Sequence, residues 1–247
     1  MEMFENTEAL LAWIVDFFAT SFGNSAVLKG GMALRLMHSP RYTNDVDYIF
    51  IPFDSKKGAK EIIEQALSTV EGLRYESAMN SKALRILVTY GGQRAQIEVN
   101  VEKECSSVPM SSALLSTSHG RPARILRVME PGVSFAHKIA AWNERELKRD
   151  LYDIYQYESL LRVLPRMEIL KARLKKARSY KNIVAAQNLK DLVDKLEQTA
   201  AVLDESSFDD LRPLLGEAEL AGLSFRIKPA IMSLCEKIKA NVKPTLS

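Results

Sequence analysis

The chain has 247 residues, 47% of them hydrophobic and 26% charged, a composition typical of globular proteins and not of disordered or fibrous ones. The two cysteines, Cys105 and Cys235, lie far apart in the chain, which argues against a disulfide scaffold or a zinc ribbon. No uncharged apolar stretch approaches the roughly 18 residues of a membrane span, and no secretory leader precedes the first helical pattern, so we expect a cytoplasmic protein with no membrane partner.

The first 130 residues predict a mixture of helices and strands. Apolar residues at helical spacing predict a helix over 6–22, with Asn6 or Thr7 as its N-cap. Short β-branched, aromatic or alternating segments bounded by turn residues predict strands, and Gly91–Gly92 is a hairpin signal between the last two. The predicted strands cover residues 26–28, 45–51, 73–78, 84–90 and 95–101, and further helices are predicted over 32–37 and 56–70.

Beyond about residue 130 the pattern is helical almost throughout. Helices are predicted over 133–143, 150–163, 167–185, 189–203, 208–215 and 224–240. Strands followed by helices indicate an α+β N-terminal domain, residues 1–130, and an all-α C-terminal domain, residues 131–247.

Three carboxylates are candidates for a metal site. Asp45 and Asp47 flank Val46 on a predicted strand, so the period of two places both carboxylates on one face. The same alternation puts Glu98 on the polar face of its own strand, and Glu98 joins the aspartates if the two strands are neighbours. Such an oxygen-only set suits Mg²⁺ or Mn²⁺. Because an Asp-x-Asp pair is also common at strand ends and turns, a purely structural role is the alternative.

A glycine pair precedes these aspartates. Gly30–Gly31 lies between a predicted strand and a short helix, where unhindered backbone N–H groups can hold phosphate oxygens. A tight turn that requires positive φ explains the pair equally well.

These segments resemble the first motif of the nucleotidyltransferase toxins of the AbiEii/AbiGii family, relatives of the MenT toxins within the polymerase-beta-like nucleotidyltransferase superfamily. The family pattern is a Gly-Gly turn, then Arg, a small hydroxyl residue and Asp-x-Asp, which residues 28–34 and 41–47 match. Residues 136–141 are similar to the family's Lys-bearing helix, and residues 149–154 to its Arg-Asp-x-Tyr-Asp motif. The resemblance covers roughly residues 25–160.

The resemblance implies a polymerase-beta-like mixed sheet with flanking helices as the catalytic domain. It implies that Asp45 and Asp47 bind the metal ions that hold the triphosphate, and that Glu98 ligates the second ion and helps to activate the attacking hydroxyl. The resemblance further implies that the nucleotide is bound by Lys29, Gly30, Gly31, Met32, Arg41 and Thr43. Family members commonly have Ser or Thr where this chain has Met32, so phosphate contact would depend on backbone N–H groups and nearby cations. Without the resemblance, Lys29 and Arg41 are equally well explained as solvated charges at strand ends.

The downstream motifs imply further catalytic residues. By resemblance, Lys138 neutralises charge on the triphosphate, although its pattern alone suggests an ordinary solvated lysine. Asp150 and Asp153 lie on one helix face and either orient Lys138 or Arg149, or cap their helix.

The implied reaction transfers a nucleoside monophosphate from an NTP to an acceptor and releases pyrophosphate. Residues 121–181 carry 15 basic and 7 acidic side chains, and the basic residues of 162–181 suit an RNA backbone, although such a run is also typical of a solvated face. These basic residues are Arg162, Arg166, Lys171, Arg173, Lys175, Lys176, Arg178 and Lys181. Because related toxins add nucleotides to tRNA, the resemblance favours an RNA acceptor, and specifically the 3′ end of tRNA. Such a modification would block translation. The resemblance also implies a cognate antitoxin as a further partner.

Two alternatives stay open at the level of sequence. One is a non-catalytic nucleotide- or RNA-binding module with the same fold, for which Met32 is the main argument. The other is a nucleotidyltransferase whose acceptor is a hydroxyl of a protein or a small molecule.

Overall fold

The computed structural model describes residues 3–81 and 83–241. The chain divides into two compact units, Met1–Glu130 and Pro131–Ser247. Within the described ranges, every helix is too short or too polar to cross a membrane.

A mixed sheet forms the centre of the first unit. Within the described residues it has seven strands in the order β3-β4-β5-β2-β1-β7-β6. They are β1 (Ala26–Lys29), β2 (Asp45–Phe50), β3 (Arg74–Met79), β4 (Leu84–Tyr90), β5 (Gln93–Val101), β6 (Ser107–Ser111) and β7 (Ile125–Met129). Two neighbouring pairs, β1 with β7 and β2 with β5, are parallel, and the other pairs are antiparallel. The five predicted strands are confirmed to within two residues at each end, whereas β6 and β7 were not predicted.

One face of this sheet is buried by helices. The helices of the unit are α1 (Thr7–Phe22), α2 (Gly30–Leu36), α3 (Lys56–Ser68) and α4 (Ala113–Ser116). Asn6 is the N-cap of α1, as predicted, because its side chain accepts a hydrogen bond from the backbone N–H of Ala9 at 2.9 Å. Phe18 of α1 stacks on Tyr48 of β2 with 4.6 Å between ring centroids. The residues that alternate with Tyr48 along β2, Asp45 and Asp47, therefore lie on the opposite face.

The described part of the second unit is helical, as predicted. Its helices are α5 (Pro131–Arg145), α6 (Lys148–Tyr155), α7 (Met167–Lys175), α8 (Leu189–Val202), α9 (Glu217–Leu220) and α10 (Leu223–Ala240). The prediction over 208–215 was wrong in type, because a 3₁₀ helix runs over Glu205–Leu211 instead.

Two predicted helices are shorter than expected. The helix predicted over 150–163 ends at Tyr155 and continues as a π-helical turn, Gln156–Leu160. The helix predicted over 167–185 ends at Lys175. Leu170 and Leu174 are the buried residues of α7, and the basic residues that follow offer no apolar face to continue it.

Candidate functional site

A row of four charged side chains crosses the sheet on the face opposite α1. Lys29 of β1 pairs in register with Asp47 of β2, Asp47 with Glu98 of β5, and Glu98 with Arg85 of β4. Strands β2 and β5 are therefore neighbours, which was the condition for bringing Glu98 to the aspartates. Because adjacent strands lie about 4.8 Å apart, Asp47 and Glu98 put two negative charges side by side between two positive ones.

Asp45 belongs to the same face, two residues before Asp47 and roughly 6.6 Å away along β2. The hydroxyl of Thr43 donates a hydrogen bond to Oδ1 of Asp45 at 2.8 Å. This contact fixes one carboxylate oxygen of Asp45, so Thr43 supports the Asp-x-Asp pair directly.

The glycine pair packs tightly against these residues. Gly30 opens α2 with φ +72°, and a Cβ at this position would lie 2.1 Å from Oδ2 of Asp47. A Cβ on Gly31 would lie 2.9 Å from Oγ1 of Thr43 and 3.1 Å from Nη2 of Arg41. The structure thus brings the glycine turn, the Arg-x-Thr segment and Asp47 together in one place. The positive φ of Gly30 agrees with the tight-turn explanation of the glycine pair, and phosphate binding by its backbone N–H groups stays a prediction.

Three predicted nucleotide-binding residues have different surroundings. Lys29 is partly exposed, and its Nζ lies 3.5 Å from Oδ1 of Asp47. Arg41 is buried, and its Nη1 donates to the carbonyl of Tyr42 at 3.2 Å, so the alternative of a solvated strand-end charge is wrong for this residue. The side chain of Met32 is 1% exposed and belongs to the hydrophobic core, so any contact of Met32 with a ligand is limited to its backbone.

The carboxylates suit a hard divalent cation by their oxygen-only chemistry, but they are not gathered around one point. Over residues 3–81 and 83–241, no three His, Cys, Asp or Glu side chains are grouped so that they could hold a metal ion. Asp47 contacts Lys29, and Glu98 accepts from Nε of Arg85 at 3.3 Å. Because Arg85 is half-exposed, its pair with Glu98 contributes only about 0–1 kcal/mol, so a divalent cation can displace Arg85 from Glu98 at small cost.

A buried polar network lies on the core side of the sheet. Asp16 accepts hydrogen bonds from the hydroxyls of Ser112 at 2.8 Å and Ser116 at 2.9 Å. Burial, and then the charge of Asp16, raise the pKa of Tyr48 far above its ordinary range. Tyr48 therefore stays neutral, and the titratable chemistry of β2 is confined to the face of Asp45 and Asp47.

The second unit contains two ion pairs with buried aspartates. Nζ of Lys138 on α5 lies 2.5 Å from Oδ2 of Asp153 on α6, and Asp153 is fully buried. Asp153 thus orients Lys138, one of the roles that the sequence left open. Asp150 is also fully buried, but it pairs with Arg145 through two bonds of 2.6 and 2.7 Å. Arg145, which the sequence analysis did not consider, takes the place expected for Lys138 or Arg149 as the partner of Asp150.

We expect the Asp150–Arg145 pair to stabilise the fold. Asp150→Ala should lower the free energy of unfolding by about 2–3 kcal/mol, because it removes two charged hydrogen bonds to a buried carboxylate. Asp209→Ala is the matched control, since Asp209 forms an exposed pair with Arg212 that is worth at most about 1 kcal/mol. Urea denaturation of both variants measures the difference. Equal destabilisation would contradict a special role for the buried pair.

The basic segment 162–181 is mostly solvent-facing. All of its basic side chains are exposed except Arg173, which is partly buried and lies 3.8 Å from Glu144. Part of the segment is α7, and the remainder is irregular apart from a bridge between Tyr180 and Ile183. Both hypotheses for this segment, an RNA contact and a solvated face, require such exposure.

Comparison with known proteins identifies the family. The family model described as the nucleotidyl transferase AbiEii toxin of a type IV toxin–antitoxin system matches residues 14–226. The chain belongs to the AbiEii family. It is therefore a nucleotidyltransferase toxin of a type IV toxin–antitoxin system, and the resemblance noted in the sequence is confirmed.

Solved structures support the fold of this AbiEii protein. It is similar to MenT4, a nucleotidyltransferase toxin from Mycobacterium tuberculosis H37Rv, with 15% identity, a TM-score of 0.61, and coverage of 95% of this chain and 85% of MenT4. It is also similar to JHP933 from Helicobacter pylori, with 14% identity, a TM-score of 0.51, and coverage of 98% and 97%. These likenesses confirm the α+β fold of a mixed sheet followed by helices. Comparison with the curated proteins finds no match.

Arg85 is a neighbour of the candidate carboxylate site that the sequence analysis missed. A signal for it was present, because the Gly91–Gly92 hairpin sets the pairing of β4 with β5 and so places Arg85 opposite Glu98. The parallel register of β2 and β5 has no comparable local signal, since these strands are far apart in sequence.

Proposed function

We propose that this AbiEii nucleotidyltransferase uses Mg²⁺ or Mn²⁺ to transfer a nucleoside monophosphate from an NTP to the 3′ end of an RNA. The proposed acceptor is tRNA, and loss of usable tRNA would block translation. Residues 1–130 are the proposed catalytic domain. The cytoplasm, where NTPs and tRNA are available, is the proposed compartment, and a cognate antitoxin is the proposed regulatory partner.

The observation that supports this proposal most is the pairing of Asp47 with Glu98 beside Gly30. Two adjacent carboxylates repel each other, and although Lys29 and Arg85 flank them, a divalent cation would neutralise both charges more fully. Gly30 leaves no room for a side chain because the carboxylate of Asp47 occupies that space, so the glycine lets Asp47 lie directly against the start of α2. Membership of a nucleotidyltransferase family favours this enzyme over the non-catalytic module considered above.

Asp45, Asp47 and Glu98 would hold the divalent cations, which when bound supply charge neutralisation at the transferring phosphate. The 3′ oxygen of the RNA forms a bond to the α-phosphorus, and the bond from that phosphorus to the bridging oxygen breaks, so that pyrophosphate leaves. Glu98 accepts the proton of the attacking hydroxyl. Thr43 keeps Asp45 in place, and Lys29 supplies a positive charge beside Asp47.

The RNA acceptor is supported by charge. The exposed basic side chains of residues 162–181 match a phosphodiester backbone. An acceptor hydroxyl on a protein or a small molecule would not need this charge. The role of Lys138 on the triphosphate stays a prediction of the sequence, and its pairing with Asp153 shows what holds its ammonium group within the second unit.

The test is transfer of label. The full chain is incubated with total tRNA, either Mg²⁺ or Mn²⁺, and each of the four NTPs labelled at the α-phosphate, and the products are separated by size. We expect label in tRNA with at least one NTP, and none after chelation of the metal with EDTA.

A second arm identifies the acceptor group. Oxidising the tRNA with periodate destroys its terminal ribose hydroxyls, so we expect oxidised tRNA to take up no label. Label in protein, or label in oxidised tRNA, would contradict transfer to the 3′ end. Absence of label with all four NTPs and both metals would contradict the RNA acceptor altogether.

A further inference from the structure

A groove of about 730 Å³ lies over strands β3, β4 and β5 of the first unit. Its lining includes Arg74 and Glu76 of β3, Leu87 and Thr89 of β4, and Arg94 of β5. We call it the β3–β5 groove. The register places Arg74, Thr89 and Arg94 side by side, so both arginines project from the same face of the sheet.

The groove and the carboxylates share that face. Arg94 and Glu98 are four residues apart on β5, so the period of two puts them on one side of the sheet, roughly 13 Å from each other. Gln96 lies between them and pairs with Asp45. An extended ligand in the groove would therefore have one end close to Asp45 and Glu98.

The groove carries unbalanced positive charge. Arg74 and Arg94 are exposed, and neither takes part in an ion pair or a side-chain hydrogen bond within the part of the chain that the structure describes. Among the described residues that line the groove, Glu76 is the only acidic one. Two unpaired guanidinium groups in one row are suited to phosphate oxygens, which the planar guanidinium binds with two parallel hydrogen bonds.

The position of the groove distinguishes between two anionic ligands, the triphosphate and the acceptor strand. Along the sheet, the Gly30 turn follows β1 on one side of Asp47, whereas the groove lies beyond β5 on the other side. Phosphoryl transfer needs the attacking and leaving oxygens roughly in line, on opposite sides of the phosphorus. With the triphosphate at the glycine turn, an acceptor strand in the groove would approach the phosphorus from the opposite side, as in-line transfer requires.

We propose that the β3–β5 groove binds the phosphodiester backbone of the acceptor RNA close to its reacting 3′ end, with Arg74 and Arg94 contacting its phosphates. This assignment rests on the proposed function, because it takes the carboxylates as the site of transfer. It gives the first unit its own RNA contact, separate from the basic segment 162–181.

Binding and kinetics together test the groove. The probe for binding is a fluorescein-labelled single-stranded RNA, measured by anisotropy in EDTA so that no turnover occurs. Arg74→Glu/Arg94→Glu should raise the Kd of this RNA at least about tenfold, since reversal turns two attractive contacts repulsive. Arg74→Gln/Arg94→Gln should lower the slope of log Kd against log salt by about 1.4, the value for two lost phosphate contacts on a single strand. In steady state, KM for tRNA should rise while KM for the NTP stays unchanged.

The matched control reverses two exposed basic residues outside the groove. Lys57→Glu/Arg124→Glu changes the net charge equally and should leave the RNA Kd within about twofold, because the effect of distant surface charges is screened. Circular dichroism verifies that each variant is folded. If the double glutamate variant does not fold, the double glutamine variant provides a milder substitution at the same two positions.

Three outcomes would overturn the assignment. The first is an RNA Kd that is unchanged in both groove variants, and the second is an equal increase of the RNA Kd in the control variant. The third is a raised KM for the NTP in the groove variants, which would make the groove a nucleotide site. The proposed function fails separately, when tRNA takes up no label. The anisotropy measurement still tests the groove in that case, because it does not depend on turnover.

Discussion

Replacing Asp45 and Asp47 together by asparagine is expected to abolish nucleotidyl transfer, with kcat lowered by at least about 10³-fold. Asparagine keeps the size and polarity of aspartate but removes both negative charges, so the site loses most of its attraction for a divalent cation. Single-turnover transfer of α-labelled NTP to tRNA measures this loss. Electron paramagnetic resonance of Mn²⁺ provides a readout without turnover, and we expect tight Mn²⁺ binding in the unaltered chain and none in the variant.

The control is Asp194→Asn on an exposed position of α8, which also removes a negative charge. It should leave transfer and Mn²⁺ binding unchanged. The carboxylate site would be disproved by a folded Asp45→Asn/Asp47→Asn protein that transfers label at the rate of the unaltered chain. Unchanged Mn²⁺ affinity in that variant would place the cation elsewhere.

Gly30→Ala is expected to lower transfer by about 100-fold, the loss typical of a misplacement of about 1 Å at a catalytic group. The added Cβ would stand 2.1 Å from Oδ2 of Asp47, so the carboxylate of Asp47 must move away from its position beside Glu98. The variant should also lose about 1–2 kcal/mol of unfolding free energy, because φ at Gly30 is +72°.

Gly120→Ala separates these two effects. Gly120 has φ +65° in the same unit, but an added Cβ there meets nothing within 4 Å. Gly120→Ala should therefore show a similar loss of stability by urea denaturation and full transfer activity. Equal activity of the two alanine variants would show that the contact between Gly30 and Asp47 is irrelevant to catalysis.

Much of the first unit could be predicted because its signals are local. The helix that begins after Asn6 and the five strands up to residue 101 follow from apolar periodicity and turn residues. Strands β6 and β7 escaped prediction because their alternation of apolar and polar residues is weak. In β6 only the side chains of Val108, Pro109 and Met110 are apolar, and Pro109 is unfavourable in a strand interior.

The ends of the helices in the second unit were harder to predict. The basic residues around Lys175 are good helix formers, so their pattern predicted a helix that continues to residue 185. The helix ends at Lys175, one residue after its last buried side chain, Leu174, because packing of an apolar face and not propensity holds a helix of this length together.

The sequence by itself determined which residues are candidates for the chemistry and which of them share a strand face. Asp45, Asp47 and the glycine pair are close in the chain, so the pleat of a strand and the turn before it define their arrangement. Only the tertiary structure decided their neighbours: the row from Lys29 to Arg85, the pair of Arg145 with Asp150, and the groove beyond β5. The register between strands that are distant in the chain depends on how the whole core packs, and so does the burial of individual side chains. A local sequence pattern cannot predict this packing.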